Sequence, residues 1–156
     1  MIKRGLAMDR VDRGGMRGGG LKASRKRVRL LDEFMDLVWK LELESRCGTP
    51  IIVEGRRDAE SLRRLGVGGE IISIKSIRGL RRLFERREVR RVILLMDLDR
   101  EGEKVMKLVK KSLEGVVREV DTSYWRRLQA FKNLGFTQIE NLHRIPEKIL
   151  PRGPHP

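Results

Sequence analysis

A chain of 156 residues with 39% apolar residues suits one ordinary domain with flanking segments. Its 36 Lys+Arg against 22 Asp+Glu, a formal charge of +14, suit a phosphate-rich partner. No stretch approaches the roughly 20 apolar residues of a membrane span, and the first residues lack the apolar core of a secretory signal, so the expected setting is cytoplasmic with no membrane partner.

Residues 1–29 read as a flexible basic tail. Six glycines fall within residues 1–20, and residues 1–30 hold ten Lys/Arg against two Asp. The densest charge is KASRKRVR, where Lys22, Arg25, Lys26, Arg27 and Arg29 can follow a phosphate backbone. Residues 30–47 form the next segment, with a helix predicted over 30–46. Leu31, Phe34, Met35, Val38 and Leu41 recur at helical spacing on its packing side, and Trp39 is assigned to the core. Asp32 and Glu33 would occupy its first turn, and Gly48 and Pro50 would end it. The single cysteine, Cys47, excludes an internal disulfide and a Cys-rich zinc site and reads as an inert thiol.

Residues 48–145 change pattern. Short apolar runs at 51–53, 70–73, 92–96 and 116–120 read as strands, separated by helices at 57–65, 78–87 and 101–113 and followed by one at 124–134. The predicted inward residues of the first three helices include Ala59, Leu62 and Leu65, then Leu80, Leu83 and Phe84, then Val105, Met106, Leu108 and Val109. Continuous apolar strands alternating with helices imply an α/β fold: a four-stranded, mostly parallel sheet covered on both faces. Residues 146–156 read as a Pro-rich tail containing His155.

Right-handed crossovers put the strand C-termini on one edge, which the chain reaches near Glu54, Ser76, Asp97 and Asp121. Ligands bind there in open parallel sheets. The first run ends IIVEG and the third ends MDLDREGE, so Glu54, Asp97 and Asp99 gather at that edge in a strongly basic chain. Magnesium takes oxygen ligands, few of them carboxylates, so these three residues suit it, with manganese as an alternative. Glu101 is a further metal-side candidate, and Glu103 is assigned to the helix N-terminus or to a pair with Lys107. Gly55 is read as permitting close backbone approach or a positive φ, and Asp58 as a first-turn residue. Arg56, Arg57 and Arg100 flank the acids, and Lys75 and Arg78 lie on the neighbouring loop, as candidate nucleic-acid contacts. Tyr124, the only tyrosine, is read as structural or as a phosphate hydrogen-bonder, and His143 as a minor candidate partner.

The string EG-x-x-D at 54–58, followed by D-L-D-R-E-G-E at 97–103, resembles the Toprim domain. That domain occurs in type IA topoisomerases, bacterial primases, recombination-repair proteins and the ribonuclease that matures 5S ribosomal RNA. The resemblance covers roughly residues 50–134, and the size is similar to the small stand-alone Toprim proteins of archaea and bacteria. It implies a Rossmann-like fold, general acid/base chemistry at Glu54 and a metal-binding pair at Asp97 and Asp99. Glu101 stands where many members carry a third aspartate. Gly102 matches the glycine after the acidic pair, read as letting the substrate backbone come close, and Gly79 resembles a glycine following the second strand.

The topoisomerase and primase versions need further domains that this sequence does not supply. The leading expectation is therefore a magnesium-dependent nuclease acting on structured RNA in the manner of ribosomal RNA processing, with RNA preferred to DNA and a protein partner allowed. A second is a non-catalytic module that docks on ribosomal RNA or the ribosome with magnesium. A third is an accessory factor in DNA repair or topology.

Overall fold

The computed structural model describes residues 18–151. Helix α1 spans Gly18–Arg46 and is followed by strand β1 at Ile51–Val53, helix α2 at Arg56–Arg64, strand β2 at Ile71–Ser73 and helix α3 at Ile77–Glu85. Strand β3 at Arg91–Leu95, helix α4 at Arg100–Leu113, strand β4 at Glu119–Asp121 and helix α5 at Ser123–Leu128 complete the alternation. Two 3₁₀ segments, Gln129–Leu134 and Ile139–Arg144, lead into helix α6 at Ile145–Ile149. The sheet has four strands in the order β2-β1-β3-β4, all parallel.

The apolar strands alternate between two cores. Ile51, Val53, Ile93 and Leu95 face one side with Phe34, Leu37, Val38, Leu41, Leu62 and Phe131. Ile52, Val92, Leu94 and Met96 face the other with Leu80, Phe84, Met106, Val109 and Leu113. Ile51 to Val53 of β1 and Val92 to Leu95 of β3 are completely buried because helices cover both faces, which is why these runs show no polar alternation.

Several expectations need correction. Helix α1 begins at Gly18, so Lys22 to Arg29 lie on a helix and not in an unstructured tail. Lys, Arg, Ala and Leu all favour helix, but in these turns only Leu21 and Val28, seven residues apart, lie on an apolar stripe, too sparse a signal for a reading based on helical periodicity. Asp32 and Glu33 consequently sit in the middle of the helix. Met35 and Trp39 are exposed, while Leu37 joins the core. Leu83 and Leu108 also face solvent. Helix α5 stops at Leu128 and tightens into 3₁₀ turns, ending at Gly135 with φ 94°. Calls on residues 1–17 and on His155 fall outside the described residues.

A polar network ties α1 to the sheet. Arg91 at the start of β3 pairs with Glu44 of α1 and with Asp121, and it reaches Glu119 at 3.3 Å. The Tyr124 hydroxyl donates to the same Glu44. Tyr124 is buried, so its polar tip serves packing, in line with the structural reading. Phe34 anchors α1 from the apolar side, edge-on to Phe131 with ring centroids 5.2 Å apart. Phe34→Ala should lower unfolding free energy by about 3–5 kcal/mol in a urea titration; a loss below ~1 kcal/mol would mean α1 is not packed as described.

Candidate metal and nucleic-acid site at the acidic sheet edge

The strand order reverses between β1 and β3: β2 lies outside one and β4 outside the other. The C-terminal ends of these two central strands flank the crevice where open α/β sheets bind ligands. Glu54 follows β1 and Asp97 follows β3 by two residues. They meet directly, because the Asp97 N–H donates to Glu54 Oε1 at 2.9 Å.

Local packing fixes the β3 turn. Met96 and Leu98 are both fully buried, Met96 in the core beneath α3 and α4 and Leu98 in the core beneath α1. Their burial leaves Asp97 and Asp99, the alternate residues, partly exposed at the edge. Asp99 is the N-cap of α4, accepting from the Gly102 N–H at 2.7 Å. A Cβ on Gly102 would lie 2.0 Å from the Asp97 carbonyl oxygen. The close neighbour that demands glycine is therefore this chain's own strand-end turn, a correction to the reading that it makes room for substrate. Trp125 Nε1–H donates to the same Asp97 carbonyl at 3.0 Å.

The C-terminal segment adds a wall that sequence reading left unassigned. At the start of the 3₁₀ turn Ile139–Arg144, the Ile139 N–H donates to Asp97 Oδ1 at 3.0 Å. The Leu98 N–H donates to Thr137 at 2.6 Å. Asp58, buried near the start of α2, accepts from the Gly55 N–H at 3.0 Å and also from the Glu140 backbone. Glu140 thereby becomes another acid in the cluster. Its only sequence signal was the odd polarity of the segment TQIEN, which carries no motif.

Charge crowding is visible in the proton equilibria. Asp97 is pushed up to about 6, first by burial and then by Glu54, Asp58 and Asp99, against the opposing Ile139 hydrogen bond. Asp58 is also raised, chiefly by burial, with Glu54 and Glu140 adding to it.

The predicted residues divide clearly. Glu54, Asp58, Asp97 and Asp99 come together. Glu101 does not join them: its side chain is 82% exposed and lies 3.4 Å from Lys104, since a first-turn helical residue one past Arg100 points outward. Glu103 pairs with Lys107 at 3.5 Å, as expected at i,i+4. Gly55 has φ −144°, ordinary extended backbone, and a Cβ there would meet only Asp58 at 4.0 Å, so positive φ plays no part. Gly79 donates to Ser76, the N-cap of α3, at 3.0 Å. Arg56 and Arg57 open α2, Arg78 lies in the first turn of α3, Arg100 opens α4 and Lys75 lies on the loop before α3; all are exposed, Arg56 lying 3.8 Å from Glu60. Lys22, Arg25, Lys26, Arg27 and Arg29 are exposed on α1. Asp121 is withdrawn, because β4 is registered with Asp121 beside Ile93, short of the end of β3, and its carboxylate is held by Arg91. His143 is occupied by Ser61 at 3.1 Å and Arg64 at 3.2 Å. Cys47 is an exposed free thiol.

Among the described residues, no group of three or more His, Cys, Asp or Glu stands in a metal-holding arrangement. The donor chemistry nevertheless fits magnesium. The edge offers carboxylate oxygens only, and the hydrogen bonds named above use a single oxygen each of Glu54, Asp97 and Asp99. Magnesium commonly takes one or two carboxylates and completes its shell with water and phosphate. No described helix is long and apolar enough to cross a membrane.

Known proteins share this architecture. The Toprim domain profile matches residues 49–126. A UPF0292 protein of Methanocaldococcus jannaschii is 32% identical over 127 residues, covering 80% of this chain and 98% of the relative. A UPF0292 protein of Pyrococcus abyssi is 38% identical over 95 residues, covering 61% of this chain and 72% of the relative. A solved structure described as a putative protein from Aquifex aeolicus superposes with a TM-score of 0.57 at 25% identity, covering 68% of this chain and 94% of that one.

The raised Asp97 carboxyl sets a pH dependence for the metal-free protein. Folded Asp97 holds its proton up to about pH 6, whereas unfolded Asp97 releases it near 3.8. The folded state binds more protons in that window, so stability should fall as pH rises from ~4 through ~6. Asp97→Asn should flatten this part of the curve in denaturation titrations without magnesium; an unchanged slope would show that Asp97 does not carry the shift.

Proposed function

The chain belongs to the Toprim domain family, and from that premise we propose that it hydrolyses phosphodiester bonds in structured RNA with magnesium, in a cytoplasmic setting. Membership carries the coarser function, magnesium-dependent association with nucleic acid. The observation that supports hydrolysis is the juxtaposition of Glu54 with the Asp97 turn at the switch point of the sheet.

Asp97 and Asp99, with Glu54 beside them, would hold the ion. When bound, magnesium supplies Lewis-acid stabilisation of phosphate oxygens and lowers the pKa of coordinated water. Asp97 is charged at neutral pH and partly protonated near pH 6, so ion binding and activity both gain as pH rises through that value. Glu54 accepts the Asp97 N–H through one oxygen and uses the other for general acid/base work on water or the leaving oxygen. Arg56, Arg57, Arg100, Lys75 and Arg78 hold the phosphate backbone as exposed cations. Helix α1 lends Lys22 to Arg29 as sequence-independent contacts.

A second reading keeps magnesium and RNA, with ribosomal RNA as the candidate partner, but omits cleavage. The run of exposed basic residues from Lys22 to Arg29 on α1, which suits sequence-independent phosphate contacts, favours it. One assay separates the two. Structured RNA is incubated with the full chain and magnesium, and Glu54→Gln and Asp97→Asn/Asp99→Asn are compared with wild type. Hydrolysis predicts a loss of about 10²–10⁴-fold for Glu54→Gln. Equal activity in all three proteins would overturn it, and magnesium-dependent binding without turnover in wild type would establish the second reading.

A further inference from the structure

Helix α1 has two apolar faces. One carries Phe34, Leu37, Val38 and Leu41 into the core. On the other side, Val28, Met35, Trp39 and Leu43 are 48%, 42%, 59% and 39% exposed. Leu21, Val28 and Met35 follow at intervals of seven residues, and Trp39 and Leu43 continue at intervals of four, so they form one stripe along the helix. An indole this exposed, aligned with three or four other apolar side chains, differs from the scattered apolar residues of an ordinary surface.

Charge along the same helix is sharply divided. From Gly18 to Leu31 it carries five basic residues and no acid. From Asp32 to Arg46 it carries five acids, with Lys40 and Arg46 as the only bases. Glu44 is committed to Arg91 and Tyr124, and Asp36 and Glu42 pair with Lys40 and Arg46, so the acidic balance of this half comes from Asp32 and Glu33. The division selects the occupant. A nucleic acid lying along the stripe would be attracted at one end and repelled around Trp39. A second copy of this chain in parallel would set base on base and acid on acid. A second copy running antiparallel sets the basic half of each helix on the acidic half of the other and joins the two stripes.

We infer that the exposed face of α1 is a self-association surface, pairing antiparallel with a second copy about a two-fold axis near Asp32. This register faces Leu21 with Leu43, sets Val28 one residue from Met35, and leaves Arg29 about 4.5 Å along the helix from Asp32 of the second copy, within the reach of its side chain. Such a contact is isologous and closes after two chains, as a two-fold pair must. Its centre is the Val28–Met35 pair on either side of the axis, and Trp39 flanks that centre seven residues away, an aromatic of the kind in which binding energy concentrates. The surface lies on the side of α1 away from the sheet and is independent of the chemistry at Glu54 and Asp97.

The test is sedimentation equilibrium of the full chain across its soluble concentration range. Wild type should reach twice the chain mass. Trp39→Glu, and separately Met35→Glu, should raise the dissociation constant at least about tenfold with helix content by circular dichroism unchanged. Both side chains are exposed in the single chain, so these variants should fold. Arg29→Glu should weaken pairing, and Arg29→Glu/Asp32→Arg should recover it. In a Cys47→Ser background, Leu21→Cys mixed with Leu43→Cys should give mixed disulfide dimers, whereas a parallel pair would cross-link Leu43→Cys to itself. A wild type that stays monomeric throughout, a dimer insensitive to both Trp39 and Met35, or the parallel cross-link would each overturn the inference. So would a monomer in which Trp39→Glu chiefly abolishes binding of single-stranded RNA.

Discussion

One hydrogen bond organises the acidic edge. The Asp97 N–H donates to Glu54 Oε1, joining the turns after the two central strands at the point where strand order reverses. A parallel ladder aligns β1 and β3 but leaves their final turns to diverge toward different helices. The bond brings them together, and it does so between a backbone donor and a carboxylate, which strengthens the contact while preserving a negative charge. Burial of Met96 and Leu98 on opposite faces then fixes which atoms of the turn remain at the edge.

The acids are held apart from neutralisation by where the cations lie. Arg91, the best-placed internal cation, sits at the beginning of β3 and is committed to Glu44, Glu119 and Asp121. The short reach of β4 takes Asp121 to that network and away from Glu54 and Asp97. Basic residues around the edge are exposed at helix starts and on the loop before α3, and no ion pair with Glu54, Asp97 or Asp99 is seen among the described residues. The crowding that results costs stability, and it is relieved by protonation or by a bound cation. Backbone N–H groups of Ile139 and Glu140 supply partial relief from the C-terminal segment. That segment lies beyond the residues matching the Toprim profile.

Sequence patterns revealed the sheet and most of the acidic cluster for a simple reason. Both faces of β1 and β3 are buried, leaving uninterrupted apolar runs whose ends point to Glu54 and Asp97. Where burial is one-sided or polar contacts govern position, the pattern was less informative. Trp39 has a core residue's composition on a solvent face, and Leu37 completes the inward stripe that Met35 was expected to share. The first turns of α1 have helix-forming residues with only Leu21 and Val28 on an apolar stripe, and that stripe faces solvent and not the core. Glu140 reaches the cluster through a chain reversal that no local spacing encodes, while Glu101 leaves it because helical geometry points it outward. The glycine at 102 was recognised, but its cause, contact with the Asp97 carbonyl, is tertiary.

The central claim is that the Glu54–Asp97–Asp99 edge is a cation site beside nucleic acid. The most direct measurement is anomalous diffraction from crystals of the full chain soaked with manganese. A peak coordinated by the oxygens of Asp97 or Asp99 beside Glu54 is the predicted result. A manganese-free edge with a Lys or Arg side chain seated among those carboxylates, in crystals that bind the ion elsewhere, would contradict it.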